Sequence, residues 1–450
     1  MDEALIRRYE DRRIPRYTSY PTAPHFTPAI GEAAYRTWLA RIDPAARVSL
    51  YLHVPFCNSL CWYCGCHTKV PGHDAPIARY VDALCAEIEL VAELLPGRLR
   101  VRHLHWGGGT PTIIGPAAFE RVMTLVHHRF AVEESAELAV EIDPRRLSDD
   151  MIAALASCGM TRASLGVQSF DPAVQQAINR VQSFTETRRA AEALRAAGIG
   201  AINFDLLYGL PLQTVASCRD TVARAVELAP DRLAVFGYAH VPAMKPHQRR
   251  IDEAALPDAA LRHAQAEAIA ESLMDGGYVP IGLDHFARPD DDLARSLVTG
   301  TLHRNFQGYT TDSSEILIGF GASSIGAWPQ GYVQNTPQIR AYGEAVSSHR
   351  LAVTRGVVLT ADDRFRGEII ERLMCYLRAD LGEIAARHRR DANALAAERA
   401  ALAELAGAGI VRLDGDVVVI AEDCRMLARV VAALFDSYLD PAASRHAHAI

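Results

Sequence analysis

From about residue 48 the chain alternates short β-branched or apolar runs with longer amphipathic stretches. The short runs are SLYLHV at 49–54, VRHLHW at 101–106, ELAVEID at 137–143, TRASLGV at 161–167, AINFDLLYG at 201–209 and RLAVFGYAH at 232–240, and each is followed by a stretch of helical spacing. Six strand–helix repeats predict a parallel α/β sheet, most simply a partial (β/α)6 barrel that occupies 46–345 with its extension, behind an N-terminal arm at 1–45.

The pattern changes near 346. Ala-rich helical stretches run over 361–378 and 383–406, Asp414-Gly415 between two β-branched runs predicts a hairpin, and a last helix is expected near 422–438. Helices plus a hairpin predict a small, mostly helical, winged-helix-like domain over 346–450. Such a domain raises DNA binding as a possibility. The 387–404 helix, however, sets Arg387, Arg389, Arg390 and Arg399 beside Asp391, Glu398 and Glu404, a poor phosphate-facing surface, so a lid or packing domain is expected. His446 and His448 in the tail are expected to fray rather than to bind metal.

With 450 residues, 49% hydrophobic and 22% charged, the chain has the composition of a globular protein, which excludes disorder, collagen and coiled coil. The length allows two or three domains that need no disulfides for stability. A net charge of −7 makes no global case for nucleic acid or an anionic membrane, so an anionic ligand must meet a local basic patch. The N-terminus is charged from its second residue, and no stretch gives 18 uncharged apolar residues; a cytoplasmic protein without a membrane span is the expectation. In that reducing compartment nine cysteines are expected to be free, catalytic or metal-bound.

In parallel α/β sheets ligands sit at the carboxyl ends of the strands, and the unusual residues cluster there. Foremost is YLHVPFCNSLCWYCGCHT, with Cys57, Cys61, Cys64 and Cys66 in one loop after the first strand. Structural zinc would need a second, separated pair of ligands, and none matches. The Cys-x3-Cys-x2-Cys spacing of Cys57, Cys61 and Cys64 suits a loop around one [4Fe–4S] cubane whose fourth iron lacks a protein thiolate and can bind a ligand. HWGGGTPT at 105–112 places three glycines at a strand end, where backbone can approach a ligand that a Cβ would obstruct. It is no P-loop, and GFGASS at 319–324 fails the dinucleotide fingerprint at Ser324. Glu141 ends a strand that should be buried, so it needs a partner. Asp205, inside an apolar strand, needs one too.

The cysteine spacing, with Tyr63 just before the last cysteine, resembles the radical S-adenosylmethionine (SAM) superfamily. That resemblance implies that SAM chelates the open iron and is cleaved, after electron transfer from a low-potential donor, to a 5′-deoxyadenosyl radical. Cys66 would then be non-ligating and either functional in the active site or a passive loop thiol. Glu141 would hydrogen-bond SAM, the alternative being an internal salt bridge with a barrel arginine. Asp205 would meet a ribose hydroxyl, and Arg180 would belong to the site or be a helix-surface charge.

RYTSYPTAPHF at 16–26, DHFARPDDDL at 284–293 and LHRNFQGYTT at 302–311, with EIDPR, SLGVQSFD, DLLYGLPLQT and GYAHVP between, make nearly the whole chain similar to the oxygen-independent coproporphyrinogen III oxidases (dehydrogenases). That similarity implies two SAM molecules and, as substrate, coproporphyrinogen III. Its ring A and B propionates would lose a β-hydrogen and CO2 to become vinyls, giving protoporphyrinogen IX for heme biosynthesis. By family position Gly108, Gly109, Thr110, Glu141, Gln168, Arg180, Asp205, Ala239 and Ile325 would line the SAM sites. Tyr51, His53 and Tyr63 would lie beside the cluster, and Phe306 and Gln307 would face the active-site pocket. Arg16, Arg288 and Arg304 are candidate cations for the substrate's four carboxylates. A monomer is expected. The other reading kept open is a related heme chaperone, or a radical enzyme acting on heme itself.

Overall fold

In the computed structural model, which describes residues 12–391 and 393–439 together with Leu5, Arg8 and Tyr9, all six predicted strands form. They are β1 (Arg47–Val54), β2 (Arg100–Gly108), β3 (Ala131–Ile142), β4 (Arg162–Gln168), β5 (Ala201–Tyr208) and β6 (Arg232–Gly237). They pair in parallel in sequential order. Leu50, Leu52, Val101, Leu104, Ala163, Leu165, Ile202 and Phe204 are buried, as apolar runs between a sheet and its covering helices must be. The helices start where local chemistry tells them to. Ser183 and Glu186 form a capping box on Phe184–Ala196, and Thr214 and Ser217 form one on Val215–Glu227.

The sheet grows at both edges. Beyond β6 run two short antiparallel strands, β7 (Val279–Ile281) and β8 (His285–Ala287). A separate hairpin, β9 (His303–Asn305) and β10 (Gly308–Thr310), follows. The chain then returns to the far edge, where β11 (Ile316–Phe320) lies parallel to β1, and β12 (Ile325–Trp328), β13 (Gly331–Asn335) and β14 (Val353–Val358) continue antiparallel, completing twelve strands. One buried carboxylate fastens this edge to the helix Ala75–Leu94. Glu87, 2% exposed, accepts from Gly321 N at 2.7 Å, Asn335 Nδ2 at 2.6 Å and Tyr342 Oη at 2.7 Å.

The C-terminal region holds the helix Ala361–Tyr376 and a three-stranded antiparallel sheet of β15 (Arg378–Asp380), β16 (Val411–Asp414) and β17 (Val417–Ile420), with the expected hairpin turning at Gly415, φ +58°. The helix expected over 383–406 is broken into Leu381–Arg387 and Ala396–Gly407. Arg389 adopts φ +53°, Arg390 N bonds Ala385 O at 2.8 Å, and Asp391 accepts from Asn393 N at 2.7 Å, so local hydrogen bonds outcompete helix continuation. The final segment likewise is a single α-helical turn, Ala428–Ala432, between 3-10 turns. Arg387 pairs with Glu368 and Glu383, Arg390 with Asp362 and Arg399 with Asp416. His446 and His448 lie outside the described residues.

Two cores result. The larger joins the sheet to its helices. In the second, Tyr9, Ile14, Tyr17 and Tyr20 of the arm pack among Phe365, Ile369, Leu373, Leu427 and Phe435. Tyr17 Oη donates to Asp436 Oδ2 at 3.0 Å, and Tyr20 Oη lies 3.0 Å from Ser437 Oγ. Among the described residues no helix is long and apolar enough to cross a membrane.

Replacing Glu87 with Ala leaves Gly321 N and Tyr342 Oη buried without their acceptor, and stability should fall by about 3 kcal/mol. A denaturant midpoint lowered at unchanged m-value checks this; an unmoved midpoint contradicts it.

Candidate active site

The cysteine loop springs from the end of β1 and is closed at its neck by backbone. Cys57 N bonds Lys69 O at 3.0 Å and Lys69 N bonds Pro55 O at 2.9 Å. The end of β2 runs alongside, with Gly109 N on Val54 O and Thr110 N on Phe56 O, both at 2.8 Å. Glycine is needed here because the neighbouring chain is so close. A Cβ on Gly107 would lie 2.9 Å from both Glu141 Oε1 and the Tyr51 ring, one on Gly108 2.7 Å from the His53 ring, and one on Gly109 would collide with the Phe56 carbonyl. The crowding that excludes a Cβ thus comes from the protein's own β1 and cysteine loop, a closer neighbour than the ligand the sequence suggested.

The loop's outer part is clamped by groups distant in sequence. Trp62 N bonds Ile178 O at 2.9 Å, Asn179 Nδ2 donates to Leu60 O at 2.9 Å, and Gln248 Nε2 donates to Tyr63 O at 3.0 Å. His247 Nε2 bonds Cys64 O at 2.8 Å, and Lys245 Nζ donates to Cys66 O at 3.0 Å. None of Asn179, Lys245, His247 or Gln248 carries a sequence signal, since each acts through a backbone carbonyl that any residue supplies.

Each of the three spaced sulfurs receives donors. Cys57 Sγ accepts from Thr68 Oγ1 at 3.2 Å and Thr110 Oγ1 at 3.6 Å; Cys64 Sγ accepts from Cys66 N at 3.3 Å. Cys61 Sγ faces Arg180 Nη1 at 3.6 Å and Arg145 Nη2 at 3.9 Å. Arg180 is buried, 6% exposed, and also donates to Gly166 O at 2.6 Å and lies 3.6 Å from Asp143, so it is no helix-surface charge. Burial opposes its charge, yet the ring of Tyr63, Asp143 and Cys61 around it keeps the guanidinium protonated. Arg145 and Asp143 pair at 2.6 Å beside it. Cys66 is exposed.

Glu141 Oε2 accepts from Gly108 N at 3.0 Å, and Oε1 lies 3.2 Å from His105 Nε2. Its partner within the barrel is therefore a histidine, where the salt-bridge alternative had an arginine. Tyr51 Oη bonds His53 Nδ1 at 2.9 Å, and His53 Nε2 lies 3.1 Å from His67 O. Burial lowers His53 to about 4, leaving a neutral ring. Asp205 is met by Ser164 Oγ at 3.4 Å, and burial, with Glu141 nearby, raises its carboxyl to about 7. Gln168 is buried at the end of β4 with φ +68°.

Four further predicted residues form no hydrogen bond to the sulfurs among the contacts of the described residues. Ala239 follows β6 and gives its carbonyl to Gln248 Nε2 at 3.2 Å. Ile325 opens β12, two strands from Tyr51 across β11. Phe306 stands edge-on to Tyr332 with centroids 6.0 Å apart, while Gln307 Oε1 accepts from Asn305 Nδ2 at 3.4 Å. Of the candidate cations, Arg16 and Arg304 line a cavity of about 870 Å³ that also includes Ala239. Arg288 does not line it; half-exposed beside Asp290, its amide bonds Asp231 O at the opposite end of β6.

The Radical SAM superfamily model matches residues 51–225. An oxygen-independent coproporphyrinogen III oxidase of Bradyrhizobium diazoefficiens is 57% identical over 98% of both chains, and that of Escherichia coli K12 is 40% identical over 97% of this chain and 95% of its own. The solved structure of coproporphyrinogen III oxidase from Escherichia coli, described as a radical SAM enzyme, superposes with a TM-score of 0.91 at 39% identity, covering 97% of this chain and 99% of that one.

The chain belongs to the oxygen-independent coproporphyrinogen III oxidase family. Its fold is that of the radical SAM enzymes, a family that implies a [4Fe–4S] cluster and SAM. The site fits such a cluster. Three thiols, near enough for Cys61 and Cys64 to bear on Cys57, share one loop and are ringed by N–H and O–H donors that stabilise thiolate charge.

Gly109→Ala should displace the loop's neck and, after anaerobic reconstitution, lower iron per chain to about half or less, because the clash is with backbone that cannot swing aside. Gly343→Ala, where nothing lies within 4 Å of the added carbon, should leave iron unchanged. Equal iron in the two variants contradicts the argument.

Proposed function

We propose that this chain is an oxidoreductase that converts coproporphyrinogen III to protoporphyrinogen IX in heme biosynthesis by SAM-dependent oxidative decarboxylation of the ring A and ring B propionates. Each round removes one β-hydrogen atom, one CO2 and one electron, leaving a vinyl group; two rounds make the product. The observation that carries the proposal is the loop of three donor-ringed thiols at the carboxyl end of a parallel sheet, in a chain similar over almost its whole length to proteins named for this oxidation.

Cys57, Cys61 and Cys64 would hold the cluster. When bound, cluster and SAM supply a 5′-deoxyadenosyl radical from one donated electron. The remaining work belongs to the protein. Arg180 and Arg145 offset negative charge at Cys61, and the Thr68 and Thr110 hydroxyls do so at Cys57. Gly108, Gly109, Thr110, Glu141, Gln168, Arg180, Asp205, Ala239 and Ile325 would line the places of two SAM molecules. Glu141 and Asp205 are carboxylates suited to an amino group or ribose hydroxyls, and Ser164 and His105 fix their orientation. Tyr51 and His53 form a neutral hydrogen-bonded pair that adds no charge beside the cluster. Phe306 and Gln307 would cap the pocket, and Arg16 and Arg304 would face substrate carboxylates. A cytoplasmic monomer with a low-potential donor fits this reading.

The test is anaerobic reconstitution followed by incubation with SAM, reductant and coproporphyrinogen III, measuring protoporphyrinogen and 5′-deoxyadenosine. Both should form. Deoxyadenosine without the vinyl product, together with tight heme binding, would move the assignment to a heme-directed relative.

Single Ser substitutions of Cys57, Cys61 or Cys64 should abolish the iron–sulfur absorbance. Cys66→Ser should keep it, because its thiol is not one of the three proposed ligands. Loss of absorbance in Cys66→Ser would assign it as a ligand.

A further inference from the structure

The cavity of about 870 Å³ lies against the ends of β5 and β6, the helix Ala259–Asp275, the N-terminal arm and the C-terminal region. Arg16, Arg262, Arg304 and Arg429 line it, each from a different segment of the chain. Among the described residues, Arg16 and Arg262 meet no carboxylate, and Arg304 meets one. Arg16 donates to Gly237 O at 3.1 Å, and Arg262 stands 5.7 Å over the Tyr208 ring; among the described residues neither forms an ion pair. Arg429 Nη1 donates to Ile14 O at 3.3 Å. The Arg304 side chain is 4% exposed, and its Nε and Nη1 are buried without a hydrogen-bond partner.

Asp284 is the carboxylate that meets Arg304. Asp284 lies 3.7 Å from Arg304 Nη1 and is shared with His285 at 2.7 Å. Burial opposes its charge, yet Arg304, then His285 and last Arg16 hold its carboxyl far below the usual range. The other acids of the cavity wall are engaged or outside: Glu267 pairs with His263, Glu271 with Arg219 and Glu422 with Arg425, and Asp423 is exposed. The surplus positive charge is felt. Burial and then Arg16 lower Arg262, and burial and then Arg16 bring Arg429 down to about 10. Guanidiniums gathered in a partly buried pocket repel one another unless an anion joins them. The rest of the wall, including Val235, Phe236, Leu256 and Ala270, is apolar. Apolar walls with a few converging cations suit a flat hydrophobic ring that carries carboxylates on flexible arms.

We propose that Arg262 and Arg429, with Arg304 and Arg16, form a carboxylate subsite for those propionates of the tetrapyrrole that point away from the cysteine loop, and that the bound anion ties the arm to the barrel and the C-terminal region. This rests on the substrate proposed above and adds residues that no motif singled out. The fork of each guanidinium can take a carboxylate through two N–H bonds. Cancelling the repulsion would tighten the joint between segments that the second core already brings together.

The test is equilibrium binding of coproporphyrin III to the cluster-loaded enzyme, followed by porphyrin fluorescence, with coproporphyrin III tetramethyl ester as the uncharged comparison. Wild type, Arg262→Gln, Arg429→Gln and Arg262→Lys are compared. Each Gln variant should bind the free acid about tenfold more weakly, Arg262→Lys should fall between, and the ester should bind all four alike. The free acid should also raise the Tm of the wild type more than that of the Gln variants. If Arg429→Gln fails to fold, the two Arg262 variants decide. Free-acid affinities within about twofold of wild type overturn the subsite. Where wild type still makes protoporphyrinogen, that result removes the subsite and leaves the proposed function standing; a wild type that neither binds the free acid nor converts coproporphyrinogen III overturns both.

Discussion

The site depends on how closely the end of β2 can lie against the end of β1. Gly109 and Thr110 give their amides to Val54 and Phe56, and at that separation there is no room for a side chain. The loop from Cys57 to Lys69 has little regular structure and hangs from the neck this contact defines, while clamps from later segments hold its outer part. The same contact turns Gly108 N toward Glu141 and packs Tyr51 and His53 against the glycine strand. Backbone hydrogen bonds are suited to the task, since their directions are set by the sheet and cost no side-chain entropy.

Charge is distributed against the average. The chain is net negative, yet Arg145 and Arg180 converge on Cys61, and further arginines gather in the large cavity. Burying an arginine beside an aspartate, as with Arg180 and Asp143, contributes little net stability, because desolvation offsets the attraction. Such pairs are better understood as fixing position. Arg180 reaches the Gly166 carbonyl, Asp143 and the Cys61 sulfur together, and so links the end of β4, the segment after β3 and the cysteine loop.

The arm and the C-terminal region fold onto each other. Residues 12–22 are almost devoid of helix or strand, and their order comes from Ile14, Tyr17 and Tyr20 entering a core otherwise built by 365–435. That packing carries Arg16 to the cavity wall, where it meets arginines from elements hundreds of positions away.

The sequence by itself determined the six parallel strands, the C-terminal hairpin and the grouping of the four cysteines in one loop after the first strand. Those features rest on periodicity and on spacing within one short segment, which local sterics translate directly into structure. Only the tertiary structure decided the rest. The helix expected over 383–406 gave way to a left-handed Arg389 and an Asx turn, and β11 took the place beside β1 although it lies more than 250 positions on. Arg180 proved buried, Arg288 proved remote from the site, and Asn179, Lys245, His247 and Gln248 proved to be the clamps of the loop. The reason is common to all of them. Each is fixed by which surfaces meet across the fold, and no local pattern of residues encodes a meeting between segments so far apart.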